Sequence, residues 1–449
     1  MFGINRSFSK ILTTVRAMEL RTKILAGFLA LSSASTFGQA RTDAFLTKLF
    51  SANKNPVFQE ITQHPDTYRL QVIYTQINRD KANNPSFTNY YFNVDSTVYF
   101  YPASTVKLPL ALLSLDKINT LNNPAITKFT AMQFDSAYSK QTREWQDETA
   151  ETGYPSVAHL IRKALLVSEN DPYSRMYEFM GQGEINRSLH ARGYLDTRIT
   201  HRFVRMTPDE NRHTNPVRFI DKAGKLIYAQ PAVYNEVPFD FSRVAKLGKG
   251  YMTGNDSLVN APFDFTERNK LPLETLQQLL QSTLFPQSVL AKQRFNLTDD
   301  DYRFLYQYLS QYPGETNYPK YDPKQYYDSY VKFFFMDSLH HQMPAGVRVL
   351  NKVGWAYGFL TDTSYVVDFR NKVEYMLTAT VYVNSDGILN DDKYDEDAVG
   401  HPFLYQLGQT IYQYELGRKR AHSPDLSRFR INYEKRAVDS RPTVKDVAN

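Results

Sequence analysis

The stretch "YPASTVKLPLALLSLDKI", residues 101–118, decides how the rest of the chain is read. Ser104 precedes Lys107 by three positions at the start of an apolar run. Leu108, Leu110, Leu112 and Leu113 then fill a helix. Pro109 falls early in that helix, so it costs the hydrogen-bond ladder little beyond a kink. The Ser-x-x-Lys pair carries little weight alone, because the same spacing recurs at Ser7, Ser51, Ser114 and Ser329. Its meaning depends on what else the chain supplies.

Two other groups single out Ser104. The turn after an amphipathic helix over 156–167 carries Ser168-Glu169-Asn170, and a strand start near the C-terminus carries Lys352-Val353-Gly354. With Ser104 and Lys107 these make the S-x-x-K, S-D-N, K-T-G series in the right order. The chemistry needs these types. A serine hydroxyl is a poor nucleophile until a base takes its proton. Residues three apart on a helix share a face, so Lys107 can serve Ser104. The helix N-terminus offers N–H groups to a developing oxyanion. Charge on Lys352, with burial, would lower the pKa of Lys107 so that it acts as a base. Ser168 can relay a proton to a leaving nitrogen. Asn170 can orient Lys107 and bond a substrate amide. The strand from Lys352 can pair with an extended acyl chain, and Gly354 permits close backbone approach there.

Working outward, residues 42–51 have helical apolar spacing, and 68–80 and 88–94 read as strands. Helices are expected over 156–170, 171–181, 183–194, 271–285 and 401–416, and a hairpin over 215–234. Residues 347–358, 363–371 and 373–384 read as antiparallel strands, while 286–345, rich in Tyr, Pro and Asp, resists assignment. The order implies an α/β (α+β) domain whose sheet draws on both ends of the chain, with helices inserted between.

The chain has 449 residues, 42% hydrophobic and 22% charged, within the range of packed globular proteins. It has no cysteine, which excludes a disulfide framework, a thiolate nucleophile and a Cys-ligated metal. The net charge of +6 concentrates at the two ends and leaves the central body mildly acidic. That pattern lacks the clustered basic face of a nucleic-acid binder. Residues 18–40, "MELRTKILAGFLALSSASTFGQA", pair a basic start with a short apolar run and a small-x-small end at Gly38-Gln39-Ala40. This is a secretory signal pattern, too short for a membrane span. Residues 1–40 are therefore expected to be a leader, with Met1 or Met18 as the start. The remainder is expected outside the cytoplasm, periplasmic or secreted, with no membrane span after signal removal. The basic tail over 419–449 is expected to be flexible.

With these motifs in hand, the chain resembles the penicillin-recognising serine enzymes, most closely class A β-lactamases. "YPASTVKLPLALLSL" is similar to the family's nucleophile helix. "LLVSENDPYSRMYEFMGQGEINRSLHARGYLDTRI" (165–199) is similar to its run after the second motif, with Gly181, Ile185, Asn186, Leu189 and Gly193 in register. The resemblance covers roughly 41–418, with 216–345 enlarged and poorly matched. It implies a three-layer β-lactamase/transpeptidase-like fold: an antiparallel sheet, terminal helices on one face, an all-helical subdomain, and the active site between. It implies that Ser104, Lys107 and Ser168 are catalytic, that Asn170, Lys352, Gly354 and Trp355 bind substrate, and that no cofactor is needed. The sequence departs from the family at Glu169 for Asp, at Val353 for a hydroxyl residue and at bulky Trp355. The spacing from Ser168 to Lys352 is also longer. The family's deacylating glutamate has its best candidate in Glu210 of "MTPDENRHTNPVRF", though Asn215 stands at a different spacing.

The expected function is opening of β-lactam rings through an acyl-enzyme on Ser104. The alternatives are a D,D-peptidase, penicillin-binding-like acyltransferase or esterase acting on peptidoglycan-derived acyl-D-alanine, and a non-catalytic cell-wall binding protein. His340-His341 lacks further ligands at metal spacing. "DDKYDED" (391–397) lacks the glycine and final glutamate of a calcium loop and reads as a solvated acidic loop. Tyr357 and Thr361 are further candidates to line the cleft.

Overall fold

The computed structural model describes residues 40–336 and 342–447. The expected leader, apart from Ala40, and His340-His341 lie outside the described residues. Five strands form the main sheet: β1 (Gln71–Arg79), β2 (Pro85–Phe92), β3 (Val347–Ala356), β4 (Phe359–Asp368) and β5 (Val373–Tyr382). Their order is β3-β4-β5-β1-β2, and every neighbouring pair is antiparallel. The sheet therefore joins the two ends of the chain, as the strand pattern requires.

Alternation along the strands builds two cores, because successive side chains point to opposite faces. On one face Tyr375, Leu377, Ala379 and Val381 pack against the helices Ala44–Ala52, Pro56–Gln63 and His401–Gly417, through Leu46, Phe50, Phe58, Ile61, Leu404 and Leu407. On the other face Tyr365, Val367 and Met376 meet the helical region, including Leu110, Leu112 and Leu113 of the Lys107–Thr120 helix. Each such fully buried side chain contributes roughly 1.5–3 kcal/mol. This is the three-layer arrangement the sequence predicts.

The unassigned stretch after residue 286 contains a helix, Asp299–Ser310. Thr298 caps it by accepting the Asp301 N–H, and the Asp301 carboxylate accepts the Thr298 N–H in return. The enlarged region also supplies the short strands Gly250–Met252 and Leu258–Val259, and the first pairs with Ile388–Leu389 from beyond it; Tyr251 and Leu389 pack in one cluster with Phe359 and Tyr357 of the β3–β4 turn.

The C-terminal segment differs from the flexible tail expected. Leu426 and Phe429 are buried in the helical-side core, with the Phe429 ring 4.8 Å from Tyr365 and 5.3 Å from Tyr306. Farther on, Val444 bridges to Tyr321, and Arg436 Nη1 donates to the Tyr321 carbonyl at 2.6 Å. The segment's net positive charge masked the spaced apolar residues that dock it. Among the described residues no helix is long and apolar enough to cross a membrane.

Candidate active site

Ser104 sits in a single turn, Ala103–Val106, that runs straight into the Lys107–Thr120 helix. Lys107 is fully buried beneath it, with Nζ 2.8 Å from Ser104 Oγ. The same nitrogen lies 2.8 Å from Asn170 Oδ1 and 3.2 Å from Ser168 Oγ, and it donates to the Ser168 carbonyl. Lys352, also buried, donates to Ser168 Oγ at 2.8 Å and to the Val353 carbonyl at 2.8 Å. The structure thus brings Ser104, Lys107, Ser168, Asn170 and Lys352 into one hydrogen-bonded cluster.

Three elements converge to make it. The nucleophile turn and the second motif each carry a non-glycine residue at positive φ, Ala103 at 44° and Ser168 at 68°. Such conformations cost ~1–3 kcal/mol each and persist only where surrounding contacts enforce them. For Ser168 those contacts are the two lysines. Asn170 opens the Asn170–Met180 helix, which fixes its side chain over Lys107. β3 passes so close to the nucleophile turn that a side chain at Gly354 would collide with the Pro102 carbonyl and crowd Thr105 Cγ2. That close approach is why a residue without Cβ stands there.

Electrostatics follow from burial. Loss of hydration pushes the Lys107 ammonium well below the usual lysine range, and the charge of Lys352 pushes it further. Burial lowers Lys352 to about 7, despite the opposing charge of Asp362, and Lys332 lowers it again. Beneath them Asn351 links two buried charges: Lys332 donates to its Oδ1 at 2.6 Å, and its amide donates to Asp362 at 2.9 Å. Sequence reading missed this second layer. Its signal was present: Asp362 is a charge in the middle of the strand "FLTDTSYVVD", whose other charge, Asp368, stands at its end.

Other predicted residues fall in different places. Trp355 is about half exposed on the cleft wall, edge-on to His401 at 5.0 Å. Tyr357 lines the cleft, whereas Thr361 is buried against Thr380. Glu210 is not brought to Ser104 or Lys107. Its carboxylate caps the short helix Pro208–Arg212 by accepting the Thr207 N–H at 2.7 Å, and it also takes Ser139 Oγ at 2.9 Å and Lys140 Nζ at 3.2 Å. Those bonds, the Thr207 N–H foremost, hold it down to about 2. The side chain that faces Lys107 from this loop is Phe203, whose ring centroid is 5.3 Å from Nζ. Glu169 turns away from the cleft to Lys163 at 3.3 Å and to the Tyr321 hydroxyl. The acidic loop expected to be solvated contributes Asp392 and Glu396 to the cleft wall.

The cluster holds the parts an acyl transfer needs: a hydroxyl nucleophile, an amine whose proton affinity burial lowers, and a second hydroxyl between two lysines. Residues 63–229 match the model of the beta-lactamase enzyme family, a span that holds Ser104, Lys107, Ser168 and Asn170. No curated protein matches the chain. Among solved structures, a beta-lactamase from Sphaerobacter thermophilus DSM 20745 is 10% identical over 80% of this chain and 96% of its own, with a TM-score of 0.41. One from Burkholderia vietnamiensis is 12% identical over 81% and 97%, with a TM-score of 0.42. A class A beta-lactamase from Mycobacterium abscessus is 13% identical over 79% and 98%, with a TM-score of 0.43.

Proposed function

We propose that this chain is a serine β-lactamase-like enzyme and that Ser104 opens a β-lactam or related amide by forming an acyl-enzyme. The observation that carries this reading is the 2.8 Å approach of buried Lys107 Nζ to Ser104 Oγ. A neutral Lys107 accepts the Ser104 proton as Oγ bonds to the carbonyl carbon. The N–H groups of Ser104 and Trp355 would receive the oxyanion. The C–N bond then breaks, and Ser168 passes a proton to the departing nitrogen while Lys352 supports its hydroxyl. Water or another acceptor finally cleaves the ester.

A second reading is favoured by what faces Lys107. With Phe203 there and Glu210 engaged elsewhere, this loop offers the ester no water-activating carboxylate. The protein would then behave as a D,D-peptidase or penicillin-binding acyltransferase with slow deacylation. Both readings set the protein outside the cytoplasm, a proposal that rests on the leader pattern of residues 18–40. Intact mass of the protein followed over time with a penicillin separates them. A fleeting adduct with spent drug supports the lactamase, and a lasting adduct supports the slow enzyme. No adduct, with intact drug, rejects both and favours the non-catalytic binding protein.

A further inference from the structure

We propose that Arg268 and Arg205 form an anion subsite in the nucleophile's cleft, holding a carboxylate on the acyl side of a peptide-sized donor. The inference rests on the acyl-enzyme reading and names the substrate class of that same site.

The cleft is larger than a bicyclic lactam needs. Its cavity of about 1040 Å³ is lined by Ser104, Ser168 and Asn170 and also by Arg205 and Arg268. Ligand pockets for drug-sized molecules run to roughly 1,000 Å³ at the upper end. A second cavity of about 450 Å³ abuts it, and His201, Met206, Asn211 and Arg268 line both. Arg268 therefore stands where the cleft continues beyond the nucleophile.

The strand geometry leads there. From Lys352, beside Ser168, β3 continues to its end at Ala356. The next residue, Tyr357, packs its ring 5.9 Å from Phe263 and 5.1 Å from Tyr101. The Arg268 guanidinium lies 5.8 Å from the same Phe263 ring. An acyl chain paired along β3 is carried from Ser104 toward Arg268. Arg205 approaches from the loop that also carries Phe203, against the turn at Gly254.

The two cations are uncommitted. Among the described residues neither guanidinium has an ion-pair partner or a side-chain hydrogen bond. Arg202, in the same cleft, is by contrast ion-paired with Glu178 at 3.2 Å. Of the acids on the walls, Glu396 already accepts the Gly358 N–H at 3.2 Å and Asp392 is exposed, while in the second cavity Asp264 accepts the Thr266 N–H at 2.8 Å and Glu267 is exposed. A guanidinium with free donors matches a carboxylate in two parallel hydrogen bonds. A peptide with a free side-chain or α-carboxylate has that chemistry.

The test uses full-length Ser104→Ala protein, which cannot be acylated, and three penicillins differing only in the acyl group: phenylacetyl, its α-carboxy derivative and its α-amino derivative. Calorimetry should show the carboxy compound binding about tenfold or more tighter than the amino compound, a preference that weakens with salt. Arg268→Gln and the exposed Arg205→Gln should each cut that ratio, to about threefold or less for Arg268→Gln, while Arg268→Lys retains part of it. Melting curves check that each variant folds. Equal affinities in the parent, or a ratio unmoved by both Gln variants, would overturn the subsite. Acylation of the unmutated protein by the phenylacetyl compound runs in parallel. An adduct without charge preference rejects the subsite alone; no adduct and no binding reject the acyl-enzyme reading with it.

Discussion

The Phe203 ring stands 5.3 Å from Lys107 Nζ, so the buried base faces an aromatic surface on the side of the loop that follows the second motif. An aromatic face attracts a cation weakly but cannot take a proton from water. Phe203→Glu would set a carboxylate beside both Lys107 and the ester. The adduct lifetime in that variant should shorten by about a hundredfold, the lower end of what a positioned general base supplies. It is read as intact mass after excess penicillin is removed. An unchanged lifetime would mean that deacylation is limited elsewhere.

Acylation should follow a bell in pH. Lys107 must be neutral to accept the Ser104 proton, so the rate rises as that buried, depressed amine loses its proton. Lys352 must be charged to support Ser168, so the rate falls as pH passes its value near 7. Lys352→Met should remove the alkaline limb and lower acylation. Stability carries the matching sign. A lysine at about 7 when folded and about 10.4 when unfolded binds fewer protons in the native state between those values. Its contribution therefore grows with pH across that window and is lost as pH falls through 7. Melting temperature against pH, compared with Lys352→Met, checks this.

Glu210→Gln should leave the rate of adduct formation unchanged while lowering the melting temperature. The carboxylate caps a helix and binds Ser139 and Lys140, and it touches no member of the cluster. A drop in acylation or in adduct turnover without loss of stability would assign it a part in the chemistry.

Phe429→Ala should destabilise the protein by about 3–5 kcal/mol, as for other buried aromatic truncations. The ring packs among Phe285, Tyr306 and Tyr365. Denaturant unfolding measures it. A cost near zero would restore the free tail expected from composition.

Much of the site was legible because its chemistry is local. Ser104 and Lys107 share a helix face, Ser168 and Asn170 share one turn, and Lys352 and Gly354 stand two apart in one strand, although Lys352 lies in the middle of Val347–Ala356 and not at the start the motif suggested. The sheet was legible because its strands are β-branched and aromatic runs bounded by turn residues, although β4 and β5 are buried on both faces and do not alternate apolar with polar. What could not be read depends on side-chain direction across long separations. In "HRFVRMTPDENR" the Thr207-Pro-Asp-Glu210 spacing is a capping box that commits Glu210 to its own helix, but nothing there says that Phe203 turns toward Lys107. The docking of Phe429 depends on a groove built by Tyr306 and Tyr365, well over a hundred and about sixty residues away respectively. The helix at Asp299–Ser310 was missed because its aromatic residues blurred the apolar period, although Thr298 and Asp301 marked its start.

The central claim is that Ser104 is the acylated residue, and peptide mapping of the protein after brief exposure to a penicillin tests it most directly. The account predicts one mass increment equal to the intact drug, on the peptide containing Ser104, and none in Ser104→Ala. An increment on another residue, or one that persists in Ser104→Ala, would contradict it.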